Sequence, residues 1–164
     1  KATSSGPGLY SQRRVGRYGR VFTIWKIRTM IHDCERYTGP RWATPGDPRV
    51  TRVGRVLRAM HIDELPQLWN VLRGEMSLIG PRPERPEIAR KLRGLIPDYD
   101  DRHAMPPGIS GNAQIHLPPD THVGSVRDKL VLDRDYLRRF SVWFDVRLLA
   151  LTGLKAIGLL PKRR

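Results

Sequence analysis

The sequence predicts an α+β fold, a mostly helical single domain with an N-terminal β-hairpin and an amphipathic, interfacial C-terminal helix. Three observations lead there. Residues 9–30, "LYSQRRVGRYGRVFTIWKIRTM", hold two alternating runs around a glycine-bounded "GRYG" turn, which is the pattern of a hairpin. Several later segments repeat apolar residues at helical spacing. The C-terminal stretch "FSVWFDVRLLALTGLKAIGLLPKRR" is apolar for about twenty residues, but Asp145, Arg147 and Lys155 interrupt it, and charges that dense argue against a membrane span. With 164 residues, 39% of them hydrophobic, the chain is long enough for one domain, 1–164, with a core of its own.

Taken in order, the second strand places Phe22, Ile24, Lys26 and Arg28 on one face by strict alternation. "MIHDCERYTG" predicts a short helix stopped by Gly39, and "GPRWATPGDP" a loop. Val50, Val53, Leu57 and Met60 predict a helix, with Arg49, Arg52, Arg55 and Arg58 between them. "PQLWNVLRG" predicts another helix ended by Gly74, "GPRPERP" a rigid loop, and "PEIARKLRGL" a short helix. "PPGISGNAQIHLPPDTHVG" reads as a turn-rich connection with a strand around residues 113–116. "SVRDKLVLDRDYLRRF" opens on Ser125 and Asp128 at capping-box spacing. In the last helix Ser141, Asp145, Thr152 and Lys155 gather within about 80° of the wheel and leave a broad apolar face. That pattern predicts a helix lying in a membrane interface with residues 162–164 near headgroups. A core helix of a soluble domain fits the same periodicity.

Lys and Arg number 30 against 16 Asp and Glu, a net charge of +14. Such an excess predicts an anionic partner: nucleic acid, phospholipid headgroups or a phosphorylated substrate. Cys34 is the single cysteine, which excludes an internal disulfide and predicts a reducing compartment. His32, His61, His103, His116 and His122 show no metal-ligand spacing. Against this basic background Asp63 and Glu64 stand side by side, followed by "GPRP" around Arg82. The acidic pair suits a helix N-terminus, where carboxylates cap free N–H groups. Carboxylates beside a bound phosphate can also hold a divalent cation or attack phosphorus. Arginine forks such as Arg58 and the proline-braced Arg82 would hold the phosphate.

The stretches "FTIWKIRTM", "RVTRVGRVLR", "DELPQLWNVLRGEMSLIGPRPERPE", "PGISGNAQI" and "LDRDY" resemble, in order and over nearly the whole chain, the bacterial sugar transferase family. These are monotopic polyprenol-phosphate phosphoglycosyl transferases. The resemblance implies ping-pong transfer of a sugar-1-phosphate from a UDP-sugar to undecaprenyl phosphate, at the cytoplasmic face of the bacterial inner membrane. It implies catalysis by Asp63, as nucleophile, and Glu64, with Mg²⁺ at the same dyad. It implies substrate and phosphate contacts from Lys26, Arg28, Arg58, Arg82, Gln114 and Asp133. The partners implied are a UDP-sugar donor, a polyprenol phosphate acceptor and a membrane surface, with no nucleic acid. Pro106, Asn112 and His116-Leu117-Pro118 stand where the family has an arginine, a tryptophan and "NGR", so donor recognition is expected to differ. The opening "KATSSGPG" reads as the continuation of a longer chain, and the family's N-terminal re-entrant membrane helix is expected to precede it. Two rivals remain: a basic nucleic-acid-binding module, and a membrane-peripheral scaffold of the same fold with weakened catalysis.

Overall fold

Alternating side chains on either side of "GRYG" form strands β1 (Leu9–Val15) and β2 (Val21–Ile27). They pair antiparallel, with Leu9 opposite Ile27 and Val15 opposite Val21. The computed structural model describes residues 4–36, 39–44 and 46–159. Of the predicted face of β2, Ile24 is buried and Phe22 and Lys26 are half-buried, while Val21, Thr23 and Trp25 are exposed. Arg28 lies just beyond the strand.

After the hairpin the structure departs from expectation. Residues 32–36 form turns rather than a helix, and Tyr37 and Thr38 of the predicted helix lie outside the described residues. Asp33 takes a left-handed φ of 51° there, a conformation a helix interior does not accommodate. Helix α1 (Arg52–Ala59) begins at Thr51, whose side chain accepts a hydrogen bond from the Gly54 N–H. Its buried residue is Gly54. A Cβ there would stand 2.0 Å from the Thr29 carbonyl oxygen, so the helix lies directly on backbone and only glycine fits. Packed by that side, α1 turns Val53, Val56 and Met60 outward.

A 3-10 turn, Ile62–Glu64, leads into α2 (Gln67–Leu72), and Gly74 ends that helix at φ 72°. Strand β3 (Ser77–Ile79) follows, then α3 (Pro86–Leu95), which has Pro86 in its first turn. A second 3-10 segment, Tyr99–His103, precedes strand β4 (Gly108–Ser110). Strand β4 pairs in parallel with β3. The segment predicted as a strand is instead helix α4 (Asn112–His116), and the strand lies just before it. Helix α5 (Val123–Arg139) starts ahead of the expected capping box. Ser125 already lies inside the helix, and its hydroxyl sits 2.7 Å from the His122 carbonyl. Helix α6 (Val142–Ala156) is capped by Ser141, whose hydroxyl accepts from the Phe144 N–H.

Two apolar clusters hold these elements. One joins Val15 of β1 to Ala89, Leu92, Ile96 and Tyr99, and to Val126 and Leu130 of α5. The other joins Ile79 of β3 to Tyr136 of α5 and Leu148 of α6. The polar stripe of α6 faces the protein. Asp145 accepts from the Tyr136 hydroxyl at 2.7 Å, Thr152 meets Ser110 at 2.7 Å, and Lys155 donates to the Gln114 and Ile115 carbonyls. Its apolar side points outward, with Val142 74% and Trp143 83% exposed. Among the described residues no helix is long and apolar enough to cross a membrane. Residues 162–164 lie outside the described residues.

Candidate active site

Asp63 and Glu64 sit in the 3-10 turn, which the chain enters through His61 at a left-handed φ of 56°. Neither this turn nor α2 carries a side-chain cap hydrogen bond, so the capping role that the residue types suggested is not the one they fill. Both carboxylates are buried. Glu64 Oε1 accepts from Lys26 Nζ at 2.9 Å and from Arg82 Nη2 at 2.9 Å. Burial alone would raise the Glu64 pKa, but Arg82 and Lys26 hold it well below the usual carboxylate range. Asp63 is shifted the other way. Burial and the neighbouring Glu64 charge raise its pKa, against the opposing pull of Lys26, Arg58 and Arg82. Among the described residues no hydrogen bond reaches the Asp63 carboxylate. One carboxylate is clamped as an anion, and the other keeps the higher affinity for a proton.

The cations that make this difference come from three separate stretches. Lys26 is placed by strand alternation, and Asn70 of α2 donates to the Thr23 carbonyl at 2.7 Å, tying the helix to β2. Burial lowers the Lys26 pKa to about 8, with Arg82 adding to the fall and Glu64 opposing it. Arg82 depends on the parallel β3–β4 pair, whose strands approach through glycines. A Cβ on Gly80 would stand 2.5 Å from the Pro106 carbonyl, and one on Gly111 would stand 2.1 Å from that of Gly80. The turn after β3 is then held at four successive carbonyls: Pro81 O accepts from the Gly108 N–H at 3.0 Å and Glu84 O from the Val15 N–H at 2.8 Å. Arg102 Nη2 donates to Arg82 O at 3.1 Å and Arg14 Nη1 to Pro83 O at 3.0 Å. Arg82 Nη1 donates to Gln114 Oε1 at 3.1 Å. Arg58 donates through Nε to the Thr29 hydroxyl at 2.8 Å and acts on Asp63 through its charge.

The structure thus gathers Asp63, Glu64, Lys26, Arg58, Arg82 and Gln114. It places Arg28 elsewhere. That guanidinium donates to the carbonyls of Pro7, Ser4 and Gly6 and to the Ser4 hydroxyl, closing the N-terminal segment over the end of the hairpin. Asp133 is 2% exposed and lies 2.8 Å from Arg102 Nη2, one ion pair removed from the Arg82 turn. Sequence reasoning missed Arg102, Arg14 and Gln67. Gln67 follows Asp63 by four residues, a spacing that puts both on one side of a helical turn, and that was its only available signal.

Two hard oxygen donors side by side suit a divalent cation such as Mg²⁺, which takes one or two carboxylates and completes its shell with water and substrate phosphates. Among the described residues no cluster of three or more His, Cys, Asp or Glu side chains could hold a metal unaided. The residues fit a cation shared with a phosphate ligand.

The profile of the family described as bacterial sugar transferase matches residues 1–158. The chain belongs to this family. It is 46% identical over 146 residues to a UDP-N-acetylgalactosamine-undecaprenyl-phosphate N-acetylgalactosaminephosphotransferase of Aeromonas hydrophila, covering 89% of this chain and 34% of that protein. It is 44% identical over 159 residues to an undecaprenyl-phosphate glucose phosphotransferase of Komagataeibacter xylinus, covering 93% and 30%. A UDP-glucose:undecaprenyl-phosphate glucose-1-phosphate transferase of Caulobacter vibrioides is 45% identical over 154 residues, covering 93% and 57%. The chain therefore spans about a third of the first two relatives and over half of the third. The acidic dyad and its cations lie inside the matched region.

Proposed function

We propose that this chain is the catalytic domain, 1–164, of an enzyme transferring a sugar-1-phosphate from a UDP-sugar to a polyprenol phosphate such as undecaprenyl phosphate. The observation that carries this reading is the asymmetry of the dyad: Glu64 is bonded to two cations, whereas the Asp63 carboxylate is raised in pKa and takes no hydrogen bond from the described residues. A carboxylate held close to phosphate-binding cations, but not spent on them, is suited to nucleophilic attack. In the first half-reaction an Asp63 oxygen bonds to the β-phosphorus, and the bond from that phosphorus to the oxygen of the UMP leaving group breaks. In the second, a polyprenol phosphate oxygen bonds to the same phosphorus and the Asp63 carboxylate is released. Glu64 keeps Lys26 and Arg82 in place while charge moves across the phosphoryl group. Mg²⁺ held by Asp63 and Glu64 would neutralise the diphosphate. The relatives' names support the donor and acceptor classes.

The test is UMP release from a panel of UDP-sugars in the presence of undecaprenyl phosphate. Release is expected with Mg²⁺ and is expected to vanish in excess EDTA. Full turnover in EDTA would remove the metal from the reading, and release of no UMP from any donor would remove the reading itself. Steep, salt-sensitive affinity for duplex DNA in its place would favour the nucleic-acid alternative.

The acceptor is a lipid, so the domain must work at a bilayer, and we place it at the cytoplasmic face. Apolar side chains exposed on α1 and α2 flank the dyad in sequence, with Trp69 exposed and Leu72 79% exposed. The outward face of α6 adds Val142, Trp143 and Val146. Burying a large side chain of this kind is worth about 1.5–3 kcal/mol. Trp69→Glu with Leu72→Glu is expected to weaken binding to vesicles containing anionic phospholipid, read by flotation, by about 100-fold or more, the effect of losing two such anchors. Unchanged flotation would exclude α2 from the contact.

A further inference from the structure

Behind the Glu64 clamp lies a small cavity of about 10 Å³ lined by Arg14, Ile24, Lys26, Gln67, Arg82 and Pro83. That volume admits roughly one water-sized atom. Two of its lining donors are unspent. Gln67 is only 2% exposed, and among the described residues neither its Nε2 nor the buried Arg14 Nε has a hydrogen-bond partner. An unpaired buried donor is costly, and natural structures contain few of them. Two beside one cavity need a reason. The cavity's other polar side chains are Lys26 and Arg82, each spending one N–H on Glu64 Oε1 and having more to give. Its remaining lining side chains, Ile24 and Pro83, are apolar.

The lining side chains therefore offer donors from four residues, three of them cationic, against one neutral acceptor, the Gln67 carbonyl oxygen, and no carboxylate. A water molecule would need acceptors for its own two hydrogens. An anionic oxygen needs none. We propose that this cavity is a subsite for a single anionic oxygen, taking a nonbridging oxygen of the phosphoryl group, with Gln67 Nε2 and Arg14 Nε as its donors. The assignment of that oxygen to the transferred phosphoryl group rests on the reaction proposed above. Gln67 and Asp63 lie four residues apart across the start of α2, so the subsite would fix the phosphorus at one oxygen while Asp63 approaches it. Gln67 becomes a binding residue for the reaction, and Arg14 joins β1 to the same task.

Two readouts on the full chain test this. The first is the rise in melting temperature with added inorganic pyrophosphate, which probes the subsite without any turnover. The second is the kcat and KM of UMP release from a UDP-sugar. Gln67→Glu is nearly isosteric and sets a carboxylate among three cations, so the protein is expected to fold and melt no lower than the parent. The same change fills the subsite's role with a fixed anion, so stabilisation by pyrophosphate should be lost and kcat should fall about 100-fold, the size expected for a removed transition-state donor. Gln67→Leu is expected to lose the pyrophosphate response as well. If both variants are stabilised by pyrophosphate as strongly as the parent, the subsite is overturned whether or not UMP is released. If the response depends on Gln67 but the parent releases no UMP, the anion subsite stands and the proposed reaction fails.

Discussion

Asp63→Asn is expected to abolish UMP release while leaving the protein folded and as stable as the parent, or slightly more so. The reasoning starts from charge. Burial and Glu64 raise the Asp63 pKa in the folded state, so at neutral pH its ionised form opposes folding, and a neutral amide removes that opposition. No hydrogen bond to the carboxylate is lost. Catalysis, by contrast, loses the attacking oxygen. Glu64→Gln is expected to do the reverse for stability. Its folded pKa is depressed by Arg82 and Lys26, so it contributes stability above the ordinary glutamate pKa and loses it as pH falls through the folded value. Glutamine keeps a neutral carbonyl oxygen for Lys26 and Arg82 but not the charge that pairs with them, a loss on the order of 1–3 kcal/mol. Urea denaturation at neutral pH measures both changes. The chemical half is checked by trapping: a UDP-sugar labelled at the β-phosphate, without acceptor, should label the peptide containing Asp63 and leave Asp63→Asn unlabelled. Label on Asp63→Asn, or normal turnover by it, would end the nucleophile assignment.

Local signals in the sequence carried much of this. Alternation placed Lys26 on the inward face of β2, because a strand's period of two needs no tertiary information. The proline brace around Arg82 was visible for the same reason: proline acts on its own neighbours. What stayed hidden depended on distant partners. The parallel β3–β4 pair joins two three-residue strands through glycines. Segments that short have no periodicity to read, so the sequence points to a strand around residues 113–116 when the strand lies just before them. The stretch at residues 30–39 has helical composition, but Glu35 is drawn to Arg85 at 2.7 Å and Asp33 turns left-handed. The amphipathic pattern of the C-terminal helix is legible in its own residues. Which face turns inward was settled by Ser110, Gln114 and Tyr136, none of them on that helix.

The same separation governs Arg102 and Asp133, 31 residues apart, and here stability and rate are expected to part. Asp133→Leu alone leaves the Arg102 guanidinium buried with its carboxylate gone, which should cost about 3–5 kcal/mol. Arg102→Met combined with Asp133→Leu replaces the ion pair by apolar side chains of similar size, and such replacements are often neutral or stabilising. The double variant should therefore regain most of the lost stability. It should not regain activity. Arg102 also donates to the Arg82 carbonyl, and without that bond the turn bearing the Glu64 clamp loses its hold at the residue that carries the clamping guanidinium. A shift of about 1 Å in a positioned group can cost 100-fold in rate, so kcat for UMP release should remain depressed by roughly 10- to 100-fold, with KM for the UDP-sugar changed less. Arg102→Lys, which keeps the charge but not the fork, should fall between the two. If the double variant recovers stability and full kcat together, the pair is a packing element, and Arg82 is positioned by its prolines and by the turn's other hydrogen bonds.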